Sequence, residues 1–311
     1  MRIAVPDLIT NSYFPALAAE EFGLYAREGL DAHVELVSPA AAAMAGLRDG
    51  AIHFVVAGAH SALSVFPGWI GAKLAVAVAQ GTPWLLVLRA DVPAARGDVQ
   101  AIKGLRIGAA PGPDAALIRL LADSGIDSGR DVHITRVPGT DRHGVSFGVV
   151  AAEALASRQI DGFWANALGS ETAVRQGVGR VVVDVRRGDG PPAARSYTLA
   201  ALIVSDAFIE REPEQVAAAV RAIVEAQRVL RAAPARAVEV GRRRFPPAAA
   251  EMIAALVERD LPFYDPVLHE EDIRSMNAFA QALGLLAGPV AYDEVVAVRF
   301  RPLWTAGAAA R

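Results

Sequence analysis

The chain has 311 residues, of which 53% are hydrophobic and 21% charged, and a formal net charge of −3. That composition provides for a large buried core, in one large domain or two lobes of ordinary size, and argues against disorder; with no long basic run there is no electrostatic footprint for nucleic acid or an anionic membrane, which leaves small molecules as partners. The absence of cysteine excludes disulfides, thiolate metal sites and cysteine nucleophiles, and no uninterrupted apolar run of about 18 residues predicts a membrane span.

The opening residues "MRIAVPDLI" read as a strand entering a loop and lack the charged, apolar and small-residue regions of a secretory leader. Strands are predicted at 3–6, 33–37, 52–56 and 72–79, with helices over 13–27 and 40–49 between them. In the first helix Phe14, Leu17, Ala18 and Phe22 keep helical spacing, and Gly23 is a stop. Strands alternating with helices predict βαβ units and a parallel sheet.

The same programme then recurs. "LRIGAAP" (105–111), a helix over 114–124, "VHITRVP" (132–138), a helix over 145–158 and "IDGFWA" (160–165) repeat the order of the first half. Leu47 and Ile52 have the spacing of Leu155 and Ile160, so that Ala59 answers Ala167 and Ser61 answers Gly169. Val34 to Ile52 spans 18 positions and Val132 to Ile160 spans 28, which places ten extra residues around "GTDRHGVSFG".

Two more runs, "WLLVLRAD" (84–91) and "TLAALIVSD" (198–206), have no helix of their own and are expected to cross between lobes as a two-stranded hinge that closes. Lobe I then holds 1–90 and 205–311, and lobe II holds 91–204. Beyond Asp206 the chain reads as helical. Val216, Val220, Ile223, Val224, Gln227 and Leu230 form one stripe with Pro213 near its start, and further helices are predicted over 247–259, 270–284 and 292–300.

"IHFVVAGAHSAL" (52–63) has the outline of a strand-to-helix elbow that carries a nucleophilic serine. Adjacent residues on one turn rarely face each other, however, the fifth position of the pentapeptide is Leu63 instead of glycine, and no oxyanion-hole sequence accompanies it. His60 and Ser61 are therefore read as hydrogen-bonding groups that line a cleft. "GAAPGPD" (108–114) lacks the lysine of a phosphate loop and reads as a turn with Asp114 near a helix start. "GRRRF" (241–245) reads as a solvated helix end. His33, His53, His133, His143 and His269 show no metal-binding spacing, so no metal, cofactor or catalytic residue is expected.

Taken together, "IAVPDLITNSYFPALAAEEFGLYAREGLDAHVELVSP", "LRDGAIHFVVAG", "KGLRIGAAPG" and "RQIDGFWAN" resemble the sulfonate-, taurine-, nitrate- and thiamine-pyrimidine-precursor-binding branch of the type 2 periplasmic-binding fold, over about the first 210 residues. The stretch from Gly23 to Leu30 follows that branch's G-L/F-Y/F-x-x-E-G-L segment. The resemblance implies an α/β, two-lobed Venus-flytrap fold, each lobe a βα sheet sandwich, with a helical C-terminus. It further implies a monomeric, non-enzymatic periplasmic protein that captures a small polar organic molecule, sulfonate-, taurine- or aminopyrimidine-like, between its lobes for an ABC transporter permease. The alternative is a cytosolic enzyme on the same fold, a decarboxylase, desulfinase-like or pyrimidine-precursor enzyme. Desulfinase-like relatives use a cysteine near the first loop, where this chain has Ser12, and the cysteine-rich motif of eukaryotic-type pyrimidine synthases is absent.

Open α/β sheets bind ligands beyond the carboxyl ends of their strands, where helix amino termini present unpaired N–H groups. The candidate ligand-binding residues are therefore Asp7, Asn11, Ser12 and Tyr13 after the first strand, Ser38 after the second, Gly58, His60 and Ser61 after the third, and Gln80 and Trp84 after the fourth. In the second half they are Asp114 with Ala110 and Gly112, then Asp141, Arg142 and His143, then Trp164, Asn166 and Glu171. Asn11 and Ser12 are also eligible helix caps. Trp164, flanked by polar groups, is preferred to Trp84 for stacking on a ligand ring. Asp7 and Glu171 suit an amine, helix amino termini suit an anion, and the sign of the ligand's charge stays open.

Overall fold

A computed structural model describes residues 1–140, 146–245 and 247–305. The chain begins β1 (Arg2–Val5), α1 (Phe14–Glu21), α2 (Leu24–Arg27), β2 (His33–Leu36), α3 (Ala40–Arg48), β3 (Phe54–Gly58) and β4 (Ala72–Ala79). The helix expected over 13–27 is two pieces because Gly23 takes φ 66°, left-handed backbone that glycine adopts without the steric penalty of a side chain. Then come β5 (Leu85–Arg89), β6 (Arg106–Ala109), α4 (Pro113–Asp123), β7 (His133–Thr135), α5 (Phe147–Ala156), β8 (Gly162–Ala165), α6 (Ala167–Arg175) and β9 (Gly179–Asp184). The last part is β10 (Ala200–Ser205), α7 (Asp206–Arg211), α8 (Pro213–Ala232), α9 (Arg236–Arg244), α10 (Pro247–Asp260), α11 (Glu270–Ala282) and α12 (Tyr292–Val295).

The chain divides into two units, Met1–Gln80 with Thr198–Arg311, and Gly81–Tyr197. The first has the sheet β2-β1-β3-β10-β4 and the second the sheet β7-β6-β8-β5-β9. These are one diagram drawn twice, with three parallel strands followed by an antiparallel one. The register confirms the internal repeat: Arg2 faces His33 and Ile3 faces Phe54, while Arg106 faces His133 and Ile107 faces Gly162. The same register equates Val34 with Ile134 instead of Val132, so the second half carries eight extra residues rather than ten. Part of that insertion, 141–145, lies outside the described residues.

The two runs expected to cross between lobes as a two-stranded hinge each enter one sheet. Residues 84–91 supply β5, hydrogen-bonded between β8 and β9, and 198–206 supply β10, between β3 and β4. The units accordingly divide at 80/81 and 197/198 instead of near 90 and 204. Burial is the reason: Leu85, Leu86, Val87 and Leu88, like Ala201, Leu202, Ile203 and Val204, are core residues of the sheet they enter. Strand β9, the β-branched run "RVVVD" within Gly179–Asp184, was not anticipated.

In the first unit the α8 stripe packs over the sheet as expected, except that Val224 is only partly buried. Gln227 is wholly buried and donates from Nε2 to the carbonyls of Ala77 and Val78 in β4, at 3.0 and 2.9 Å. The helix expected over 292–300 stops at Val295, because Val296 bridges to Leu74 and the Ala297 N–H donates to the Leu74 carbonyl at 2.9 Å. Further on, the Trp304 indole donates to the Ala75 carbonyl at 2.9 Å, so this segment covers the outer edge of β4. The arginines of "GRRRF" are not simply solvated: Arg244 binds both Glu20 and Glu21 of α1, and Arg243 donates to the Glu21 carbonyl at 3.1 Å.

In the second unit α5 and α6 cross with almost no space between their backbones. A Cβ on Gly169 would lie 2.4 Å from the Gly148 Cα and carbonyl oxygen. Backbone cannot swing aside as a side chain can, so Gly169→Ala is expected to force the helices apart and destabilise the second unit by about 1–3 kcal/mol. Urea unfolding followed by circular dichroism tests this, and an unchanged midpoint would show that the helices separate freely.

Candidate functional site

Antiparallel insertion of β10 decides what meets at one edge of the first sheet. Ala200, at the amino end of β10, faces Gly58 at the carboxyl end of β3 and Ala79 at the carboxyl end of β4. The Ala59 N–H donates to the Leu199 carbonyl at 2.8 Å, which brings Thr198 beside the loop after β3. There His60 Nδ1 lies 2.8 Å from the Thr198 hydroxyl, and its ring stands edge-on to Phe279 of α11 with centroids 5.6 Å apart. Burial disfavours the charged imidazolium and pushes the His60 pKa down from 6.5 to about 4, so the ring is neutral at pH 7.

Ser61, read from sequence as a hydrogen-bonding group, directs its hydroxyl within its own loop. Residues Ala59–Ser64 form a 3-10 turn, and the Ser61 hydroxyl donates within it to the Gly58 carbonyl at 2.6 Å. Both polar side chains of the "AHS" loop thus have partners other than each other, and a base–nucleophile pair is not formed.

After β1, Asp7 accepts from the Ile9 N–H at 3.0 Å and closes a short turn. Neither Asn11 nor Ser12 caps α1; the N-cap position is Tyr13, without a side-chain cap bond. Asn11 and Ser12 are instead buried. The Asn11 amide donates to the carboxylate of Asp260, itself buried at the end of α10, and the Tyr264 hydroxyl donates to the Asn11 carbonyl at 2.7 Å. Gln80, directly after β4, is held by the same segment: its N–H donates to the Phe263 carbonyl at 2.8 Å, and its Nε2 donates to the carbonyls of Asp265 and Val267 at 3.0 and 2.6 Å. Residues 260–267 therefore stitch the β1 loop to the end of β4. Ser38 is exposed after β2, and no side-chain bond joins it to this group.

In the second unit Trp84 precedes β5, whose Leu85 faces Ala165 and Asp184. Trp164 is fully buried, its indole N–H donates to the Pro113 carbonyl at 3.0 Å, and its ring lies 6.1 Å from that of Trp84. It holds the β6–α4 turn, and its buried ring, expected from sequence to stack on a ligand, packs inside the second unit. Asp114 accepts from the N–H groups of Gly112 and Ala115 at 2.8 and 2.9 Å and caps its own helix. Asn166 caps α6 through the Gly169 N–H at 3.5 Å. Glu171, expected as an acidic ligand group, pairs with Arg175 one turn on at 2.6 Å. Asp141, Arg142 and His143 lie outside the described residues. Among the described residues no cluster of histidine and carboxylate side chains could hold a metal ion.

Asp260 and Tyr264 are the groups that sequence reasoning missed. Their one local signal is the helix-breaking "LPFYDP" after α10, which marks a loop but not its partner.

Two units of identical strand order, each with polar loops gathered at the carboxyl ends of its parallel strands, have the α/β fold of periplasmic binding proteins. A model of the NMT1-like family matches residues 8–242, and the chain belongs to that family. No curated protein matches it in sequence. Among solved structures it is similar to a periplasmic sulfonate-binding protein from Methylobacillus flagellatus KT, with 19% identity over 99% of this chain and 94% of that one and a TM-score of 0.71. It is also similar to the periplasmic nitrate-binding protein of Synechocystis PCC 6803, with 14% identity over 100% and 89% of the two chains and a TM-score of 0.76. A desulfurization enzyme matches with 17% identity over 96% and 97% and a TM-score of 0.63.

The depressed His60 pKa has a consequence for stability. Between pH 6.5 and about 4 the unfolded chain binds a proton that the folded protein refuses, so the contribution is complete above pH 6.5 and is lost as pH falls through that window, by about 2 kcal/mol at pH 5. Urea unfolding at pH 7 and pH 5 should show this loss in the parent protein and little of it in His60→Gln; an equal loss in both would place the titration on another group.

Proposed function

We propose that this chain is the solute-binding component of an ABC-type importer. It holds a small polar organic molecule at the carboxyl-end loops of its sheets and hands it, chemically unchanged, to a transporter permease. The observation that carries this reading is the stitched edge of the first sheet. There Asn11, Gln80 and Thr198 come together on four loops with the neutral ring of His60, each oriented by a bond to its own chain. Rigid, preoriented hydrogen-bonding groups lower the ordering cost of capturing a small ligand.

Chemistry would need more than this edge supplies. Ser61 directs its proton to a carbonyl, and His60 faces a threonine hydroxyl. A periplasmic location goes with the reading, in line with the periplasmic sulfonate- and nitrate-binding proteins that share the fold, and the proposed state is a monomer.

Calorimetry against a library of small polar solutes should find one that binds saturably and is recovered intact by mass spectrometry. Asn11→Ala should weaken its binding by about tenfold or more, the worth of one lost buried hydrogen bond with its partner left unpaired. Recovery of a converted product would favour an enzyme on this fold, and an unaltered affinity would remove Asn11 from the site.

A further inference from the structure

The first unit has a groove that none of the strand-end loops lines. It lies between α2, α8 and the segment through Leu303, with a volume of about 380 Å³. Helix α8 turns its buried stripe onto β4 through Gln227. Arg221, Val224, Glu225 and Arg228 fall at i, i+3, i+4 and i+7 and share another face, which lines the groove. Leu24 and Ala222, both buried, and the partly buried Leu303 add apolar lining. Charge in the groove comes from three arginines and two glutamates. Arg221 reaches from α8 to Glu28, just past α2, with Nε at 2.6 Å. Arg228 holds Glu225 with Nε and one terminal nitrogen, at 2.7 and 2.6 Å. Among the described residues Arg27 has no carboxylate partner.

We propose that this groove is a second binding site, separate from the strand-end loops, for an organic monoanion: a carboxylate on a short apolar body. The sign follows from the balance of three arginines against two glutamates, which leaves one positive charge. A guanidinium carries five N–H donors, so the two ion pairs leave terminal donors on Arg221 and Arg228 and hold those side chains in place. Exposed ion pairs of this kind contribute little to stability, and folding of the unit does not depend on them. A carboxylate matches the planar fork of a guanidinium with two parallel bonds, and Arg27 is the one fork with no carboxylate on it. The body covers the lining of Leu24, Ala222 and Leu303, which a bare inorganic anion would leave in water and a cation could reach only past Arg27. Because the groove is open and the ligand small, the expected Kd is on the order of 1 mM. The inference is independent of the solute-binding reading.

The test titrates the full chain with butyrate, followed by ligand-detected magnetic resonance. Acetate, butyramide and butylammonium serve as probes that lack the apolar body, the charge or its sign. Butyrate should bind saturably and more tightly than the other three, and rising salt should weaken it, since exposed charges are screened. The double variant Arg27→Gln, Arg228→Gln should weaken butyrate at least about tenfold, the worth of one charge-assisted bond or more. Its circular dichroism spectrum and its urea midpoint should match those of the parent, because both side chains are exposed. Absence of saturable butyrate binding would overturn the inference. So would butyramide or acetate bound as tightly as butyrate, which would remove the charge or the apolar body from recognition. An unaltered butyrate affinity in the double variant would place the anion elsewhere on the protein and overturn the site, without touching the solute-binding reading.

Discussion

Each sheet is completed by a strand that enters it from a distant part of the chain, and the placement of Thr198 beside His60, and of Trp84 in the second unit, follows from that insertion. In the first unit β10 lies between β3 and β4 and hydrogen-bonds to both. Because it runs antiparallel to them, its amino end arrives where their carboxyl ends finish. Had it entered in parallel, Ser205 would stand at this edge and Thr198 at the opposite one. The 2.8 Å contact between His60 and Thr198 is thus a product of strand direction. β5 does the same between β8 and β9, which sets Trp84 at the corresponding edge of the second sheet.

The second constraint is the segment after α10. One strand-end loop alone would pay the full entropy of ordering several polar side chains. Residues 260–267 offset that cost by fastening two loops at once: Asp260 and Tyr264 hold Asn11, and the carbonyls of Phe263, Asp265 and Val267 hold Gln80. Binding groups locked in this way lose little further freedom when a ligand arrives, which links packing in the helical part of the chain to capture at the sheet edge.

Electrostatics adds a bias. The carboxylates Asp7 and Glu171, which from sequence suited an amine, are committed locally, to a turn N–H and to an arginine one turn on, and Asp114 to the first N–H groups of its helix. At the stitched edge the Asp260 carboxylate is likewise bonded, to Asn11, and the other groups are short-range and directional: a neutral imidazole, a threonine hydroxyl and the side-chain amides of Asn11 and Gln80. Such groups discriminate by which ligand atoms donate and which accept, more than by net charge.

Local patterning was enough for a good deal. Alternation of apolar runs with helical spacing, the stop at Gly23, the recurrence of Leu47–Ile52 as Leu155–Ile160 and the stretch from Gly23 to Leu30 together gave the α/β class, the repeat and the family resemblance. These are properties of residues within a few positions of one another, where helix and strand periods operate. The pairing of β5 and β10, the division between the units and the partners of Asn11 and Gln80 were not legible. Asn11 meets Asp260 across 249 residues, and Gln80 meets Val267 across 187. No period or spacing encodes contacts of that length. By itself the sequence determined which segments are strands and helices and that they occur twice; only the tertiary structure decided which strand ends share an edge, because that depends on the direction in which a returning strand finds its hydrogen bonds.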